Sequence, residues 1–154
     1  MNKLIAGLRI ALGWIFLWAG MDKIWGLGYN TAANKGWLDG VSPTTGFLAN
    51  APNPWFHSLA GNPFFDWLFI IGLMALGIAL FLGIGLKLAA IGGSTMMLLM
   101  WLAVWPIRHN PFIDEHSIYA LIFLLLPLLS AGRTWGFGRL WSETTLVKKN
   151  PWLQ

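Results

Sequence analysis

Seven charged or titratable side chains stand at the ends of apolar stretches, where they are placed to do chemistry at a membrane surface. His116 directly follows Asp114 and Glu115, and an imidazole can exchange protons near neutral pH. The Asp22–Lys23 pair ends an apolar stretch, and charge at membrane depth is costly unless it is paired or used. We predict His116 and Asp22 as catalytic, proton-handling residues, and Lys23, Arg108, Asp66, Asp114 and Glu115 as substrate-binding residues of an outer polar mouth.

The same residues also have a structural interpretation. Asp66 and Asp114 lie near predicted helix N-termini, where a carboxylate is favoured by about 0.3 to 1 kcal/mol. Asp22 can pair with Lys23 beside it or with Arg108 across a bundle, and helix rotation decides which. We predict no metal or haem, because the histidines are scattered: His109 and His116 are separated by a proline-containing loop, and His57 is remote.

Four apolar stretches must position these groups. They cover residues 4–24, 67–86, 88–107 and 117–131, and a helix that crosses hydrocarbon needs about 20 apolar residues. The chain is 56% hydrophobic and only 10% charged, against roughly 25% charged in a soluble domain. We therefore predict an all-α membrane protein, a single domain over residues 1–154 that forms a bundle of four transmembrane helices.

Two further segments complete this organisation. An outer loop at residues 26–64 is rich in Gly, Pro and Asn, and Ser42-Pro43 and Asn53-Pro54 predict short interfacial helices within it. The tail at residues 133–154 is basic and tryptophan-containing, which is typical of an interfacial segment. Neighbouring helix axes lie 8 to 10 Å apart, so the outer ends of the four spans form one polar mouth. Arg9, inside the first span, is expected to extend to the headgroups.

The distribution of charge predicts the orientation in the membrane. Seven basic residues fall at the N-terminus, the second hairpin and the tail, and three fall on the other side. The positive-inside rule then places both termini in the cytoplasm, with the protein in the cytoplasmic (inner) membrane. Nucleic acid is not predicted as a partner, because the basic residues form no stripe. The absence of cysteine excludes thiolate catalysis and iron–sulfur ligation by the chain.

Aromatic residues are abundant, with eleven tryptophans and ten phenylalanines. In the structural interpretation, these side chains form an aromatic belt at the membrane interfaces and fill the lipid-facing surface of the helices. Their functional interpretation is stacking on a flat ligand, for which a quinone head is suited. We therefore predict quinone as the cofactor, and membrane lipid, a soluble or membrane redox subunit and a possible second copy of the chain as partners.

Three segments resemble the DoxX family. LRIALGWIFLWAGMDKIWG resembles the opening of the family, GLMALGIALFLGIGLKLAA its glycine-rich second span and basic turn, and IDEHSIYALIFLLLPLLSAGR its last span. The inserted SPTTGFL and the following GNPF are most similar to DoxD-type members. The residues that carry the resemblance are Gly13, Phe16, Gly20, Lys23, Gly77, Leu82, Gly83, Lys87, Asp114, His116, Tyr119, Gly132 and Arg133.

The resemblance implies a four-helix membrane bundle. For DoxD-type members it implies a subunit of a thiosulfate:quinone oxidoreductase, in which electrons from thiosulfate reach quinone as tetrathionate forms. A different class of function stays open, namely a non-catalytic membrane scaffold or assembly subunit for soluble redox partners. A transporter is the third hypothesis, and the spans lack the paired, interrupted helices typical of midplane binding sites.

Overall fold

The computed structural model describes residues 2–108 and 110–153, and its regular elements there are all helical. Short 3₁₀ turns at Trp37–Asp39, Pro54–Leu59, Ala131–Arg133 and Pro151–Leu153 accompany the α-helices. The α-helices are α1 (Asn2–Trp25), α2 (Thr45–Leu48), α3 (Pro63–Leu82), α4 (Leu86–Ala103), α5 (Glu115–Leu128), α6 (Gly138–Glu143) and α7 (Thr145–Lys149).

Local capping fixes the bounds of α3 and α4, which differ from the prediction. The side chain of Asn62 accepts a hydrogen bond from the Phe64 backbone N–H, and Pro63 occupies the first helical position, so α3 begins at 63 rather than 67. Gly83 (φ 72°) and Gly85 (φ 60°) adopt left-handed conformations that end α3 and begin α4. The result is a tight helical hairpin.

Helix α1 packs along α3 through glycines of both helices. A Cβ atom at Gly77 of α3 would lie 2.6 Å from the backbone nitrogen of Leu17, and one at Gly13 of α1 would lie 2.7 Å from that of Phe81. Contacts this short leave no space for any side chain. The two helices approach as closely as small residues permit in a membrane bundle.

Helices α4 and α5 form the second close pair. Gly93 of α4 faces the ring of Phe123, and the Ser94 hydroxyl donates a hydrogen bond of 2.9 Å to the Ala120 carbonyl. Phe16 of α1 meets Phe123 edge to face, with ring centroids 5.2 Å apart. This contact joins the two pairs in one apolar core.

Three helices, α1, α3 and α4, are long and apolar enough to cross a membrane. Helix α5 has 14 residues, which span about 21 Å at 1.5 Å per residue, short of a hydrocarbon core of about 30 Å. It ends one residue after Pro127, which removes a backbone donor. A fourth crossing, and the interfacial position of the loop helices, therefore stay predictions.

The expectation that Arg9 extends to the headgroups is wrong. Its side chain is fully buried, and its guanidinium donates to the carbonyls of Leu80 and Phe81, where α3 ends. It also donates to Trp135 at 2.7 Å and to Thr134 at 3.3 Å. The planar fork gives the Phe81 carbonyl a donor and the Leu80 carbonyl a second donor besides the Gly83 N–H, so Arg9 ties α1 and α3 to the tail.

Candidate functional site

We call the end of the molecule where α1 and α4 stop and α3 and α5 start the outer end, and the opposite end, with Arg9 and the hairpin turn, the inner end. Asp22 lies at the outer end and is 2% exposed. Its carboxylate accepts hydrogen bonds from the backbone N–H groups of Thr31 (2.7 Å) and Tyr29 (3.3 Å). Asp22 thus fixes the start of the outer loop.

Lys23, the neighbour of Asp22, points towards α3. Its ammonium nitrogen lies 5.8 Å from the centroid of the Phe69 ring, within the range of a cation–π contact. Among the described residues, no ion pair joins Asp22 to Lys23 or to Arg108. Arg108 is exposed, and its neighbour His109 lies outside the described residues.

Asp66 holds the middle of the outer loop. It is 5% exposed, in the first turn of α3, and one of its carboxylate oxygens accepts hydrogen bonds from the hydroxyls of Thr44 (2.5 Å) and Ser42 (2.8 Å). The Gly61 backbone N–H donates in turn to the Thr44 hydroxyl. These bonds draw the loop over the outer end of α3.

Asp114 and His116 form a pair at the start of α5. The His116 Nδ1 atom lies 2.6 Å from Asp114 Oδ2, while Asp114 Oδ1 accepts the Ser117 backbone N–H and the Ser117 hydroxyl lies 3.1 Å from the Asp114 backbone nitrogen. Burial raises the pKa of the Asp114 carboxyl, but the hydrogen bonds from His116 and Ser117 outweigh it and hold that pKa below its ordinary value. The Asp114 carboxylate caps α5 in its charged form.

Glu115 completes a group of three consecutive residues with possible metal-ligand atoms. One ligand atom from each of Asp114, Glu115 and His116 lies within 4.8 Å of the others. Glu115 is exposed, and His116 Nδ1 is already engaged by Asp114. The arrangement is accounted for by helix capping.

The predicted polar mouth is thus divided into separate hydrogen-bonded groups. Asp22 binds the loop start, Asp66 binds the loop middle, and Asp114 with His116 caps α5. No hydrogen bond or ion pair connects these groups within the part of the chain that the structure describes. Their catalytic and substrate-binding roles stay predictions.

A groove of about 960 Å³ lies between α3 and α4, and sequence reasoning did not identify it. We call it the α3–α4 groove. Its walls are almost wholly apolar, and α1 and α5 contribute none of its lining residues. Gly72 and Ala75 of α3 and Gly92 of α4 line its middle, with Thr95 as a lone hydroxyl there. A volume of this size falls in the range of small-molecule sites.

The outer loop closes the outer end of the α3–α4 groove. The loop residues Thr44, Phe47 and Phe56 line that end together with Phe65 and Phe69 of α3. The loop is fastened to α4 as well, because the Asn53 backbone N–H donates to the Ala103 carbonyl at 3.2 Å. An aromatic chamber therefore lies beneath a loop that is held at both helices.

Two of the seven predicted residues stand directly behind this chamber. Asp66 binds Thr44, and Lys23 lies over Phe69. His116 is on α5, which does not reach the groove. The available signal in the sequence was the run of small residues on α3 and α4, but small residues equally predict close helix packing.

The sequence model of the DoxX family matches residues 4–106. The chain belongs to the DoxX family. The match covers α1, α3, α4 and the outer loop, so the whole groove between α3 and α4 except Trp141 lies within the family region. Neither the search of curated proteins nor that of solved structures returned a match to this DoxX protein.

Proposed function

We propose that this DoxX protein binds a membrane-dissolved quinone in the α3–α4 groove and serves as the quinone-interacting subunit of a DoxD-type thiosulfate:quinone oxidoreductase. The observation that carries the proposal is the groove itself, which is apolar along its length and ends in an aromatic chamber. An isoprenoid tail suits the helical walls. A flat head suits the phenylalanine rings, which stack on planar groups.

The outer loop supports entry from the lipid rather than from water. It covers the outer end of the groove and is fastened by the Asn53 and Thr44 hydrogen bonds. The lateral rim of the groove is apolar and exposed at Leu68 and Leu99. A ligand that reaches the chamber by this route is dissolved in the membrane, as quinones are.

The chemistry of the proposed complex divides between this chain and a partner. Two thiosulfate ions join as tetrathionate and release two electrons, while a quinone takes up two electrons and two protons to give a quinol. Thiosulfate is a dianion and does not suit the apolar groove, so the partner subunit would oxidise it. In this chain, Asp66 is placed to exchange protons through the Thr44 hydroxyl, and Lys23 polarises the chamber from behind Phe69.

The test fills the groove without disturbing the fold. A Cβ atom at Gly92 has open space around it, and so has one at Gly7 of α1, outside the groove. We expect Gly92→Leu to abolish binding of a short-chain ubiquinone analogue to the purified protein, measured by calorimetric titration, while Gly7→Leu leaves it unchanged. Equal binding by both variants, or no binding by the unaltered protein, would contradict the proposal.

The scaffold hypothesis gives a different result in the same preparation. A scaffold brings a stoichiometric soluble partner through mild-detergent purification and retains no quinone. Extraction of the purified sample with organic solvent, followed by mass spectrometry, measures quinone retained per chain. A partner without quinone would favour the scaffold.

A further inference from the structure

A second, smaller cleft lies at the inner end, beside the α3–α4 groove. Its volume is about 70 Å³, which is the scale of a phosphate group rather than of a whole lipid. Its polar lining consists of two cations and two hydroxyl groups, and Trp141 lines both this cleft and the groove. We call it the inner cleft, and its charged and polar lining residues are Lys87, Arg133, Ser130 and Ser142.

The close approach of two glycines builds this cleft. A Cβ atom at Gly132 would lie 2.2 Å from the carbonyl oxygen of Gly83, so the backbones touch where no other residue fits. Lys87 lies one helical turn after Gly83, and Arg133 directly follows Gly132. The contact therefore brings two cations from distant parts of the chain to one cleft, despite their mutual repulsion.

Most of the hydrogen-bond donors of these two cations remain available for a ligand. Lys87 donates one bond of 3.0 Å to the Pro151 carbonyl, and an ammonium group has three donors. No acidic side chain among residues 2–108 and 110–153 lines the inner cleft, and both cationic side chains are exposed. A guanidinium beside an ammonium and the Ser130 hydroxyl matches the oxygen atoms of a phosphate group, while the Ser142 hydroxyl donates to the Arg139 carbonyl at 2.7 Å.

We propose that the inner cleft binds the phosphate of an anionic lipid headgroup, with the start of an acyl chain against Trp141 at the inner end of the groove. The continuity of the basic cleft with an apolar groove favours a lipid over a free anion. Trp141 stands at the boundary between them, the position that tryptophan prefers at headgroup level. The site is distinct from the outer chamber that we propose for quinone.

The test compares two lipids that differ in headgroup charge. Phosphatidylglycerol and phosphatidylcholine of the same acyl composition are titrated into the detergent-purified protein, and bound lipid is counted by native mass spectrometry. Because both cations of the inner cleft would pair with the lipid phosphate, we expect Lys87→Gln with Arg133→Gln to weaken phosphatidylglycerol binding by about tenfold or more. The matched control, Lys148→Gln with Lys149→Gln, removes two exposed tail charges and should leave binding unchanged.

Three results would overturn the proposal. These are equal binding of the two lipids by the unaltered protein, equal loss in the cleft and tail variants, and binding of inorganic phosphate alone that the cleft variant abolishes. Lys87→Arg with Arg133→Lys keeps both charges and should restore phosphatidylglycerol binding, which separates loss of the site from loss of the fold. Quinone titration of the cleft variant should be unchanged, so the two proposals fail independently.

Discussion

The two faces of α3 use glycine in opposite ways. On the face towards α1, Gly77 lies so close to Leu17 that a Cβ atom would be 2.6 Å from its backbone nitrogen. On the face towards α4, Gly72 meets only the end of Met96, at 3.6 Å, and lines a groove. The same residue type closes one interface and leaves the other open. Small residues in a membrane helix therefore predict either contact or cavity, and the neighbouring helix decides between them.

Removing Arg9 should have the largest effect, because Arg9 stabilises the closely packed interface between α1 and α3. Arg9→Met removes the side-chain donor from the carbonyls of Phe81, Thr134 and Trp135, and each polar group left unpaired in a buried site costs about 1 to 3 kcal/mol. We expect a loss of about 3 kcal/mol in the free energy of unfolding, measured by steric trapping in detergent micelles. Lys3→Met, which removes an exposed charge at the same end, is the control. If both variants lost a similar amount of unfolding free energy, Arg9 would have no specific role in stabilising the α1–α3 interface.

Alanine substitutions should have opposite effects at a glycine in a close helix contact and at a glycine that lines the groove. Gly77→Ala forces α1 and α3 apart and should cost about 1 to 3 kcal/mol. Gly92→Ala has open space and should stabilise α4 by up to about 1 kcal/mol through helix propensity. The same unfolding measurement reports both. A destabilised Gly92→Ala would mean that the α3–α4 groove is closed in the membrane.

The Thr44 hydroxyl should contribute measurably to the anchoring of the outer loop over the α3–α4 groove. Thr44→Val removes a hydrogen bond to Asp66, with an expected cost of about 1 kcal/mol and faster hydrogen exchange in residues 42–61. Thr45→Val changes an exposed neighbour and should alter neither quantity. Unchanged exchange in Thr44→Val would place the anchor elsewhere, for example at Asn53.

Lowering the pH should weaken the Asp114 cap at the start of α5. This is the smallest of the effects predicted here. Because the pKa of Asp114 is lowered in the folded protein, its charge stabilises the fold above the ordinary value of about 3.9. This contribution is lost as the pH falls through the lowered pKa. We expect protection of the Ser117 amide, measured by hydrogen exchange, to fall only below that ordinary value. Asp114→Asn keeps a capping side chain but removes the charge, so its protection should not change with pH in this range.

Long apolar stretches made most of the fold predictable. Three helices match predicted spans in number and order, and the family resemblance is confirmed over residues 4–106. The observed ends of α3 differ from the predicted ones because capping residues set them. The Asn62 side chain begins the helix and the left-handed conformation of Gly83 ends it, and both outweigh the apolar pattern. The fourth stretch gave a helix of only 14 residues, since Asp114 caps it and Pro127 ends it.

The candidate site was less predictable, because its residues were judged by charge alone. Asp22 and Asp66 were selected as carboxylates at membrane depth, and the structure shows each of them holding backbone or hydroxyl groups of the outer loop. Arg9 was assigned to the headgroups because a long side chain can reach them, yet the end of α3 offers it two carbonyls and the tail offers it two more. Contacts between segments distant in sequence decided each case.

The sequence by itself determined the membrane class and the helices, because these follow from the length and apolarity of local segments, and it indicated the family through motif residues within three of those segments. Only the tertiary structure decided where the helices touch. It paired α1 with α3 and α4 with α5, and it left the α3–α4 groove between the pairs. In uniformly apolar helices no polar face marks the interior, so helix rotation depends on the fit of side chains across the interface.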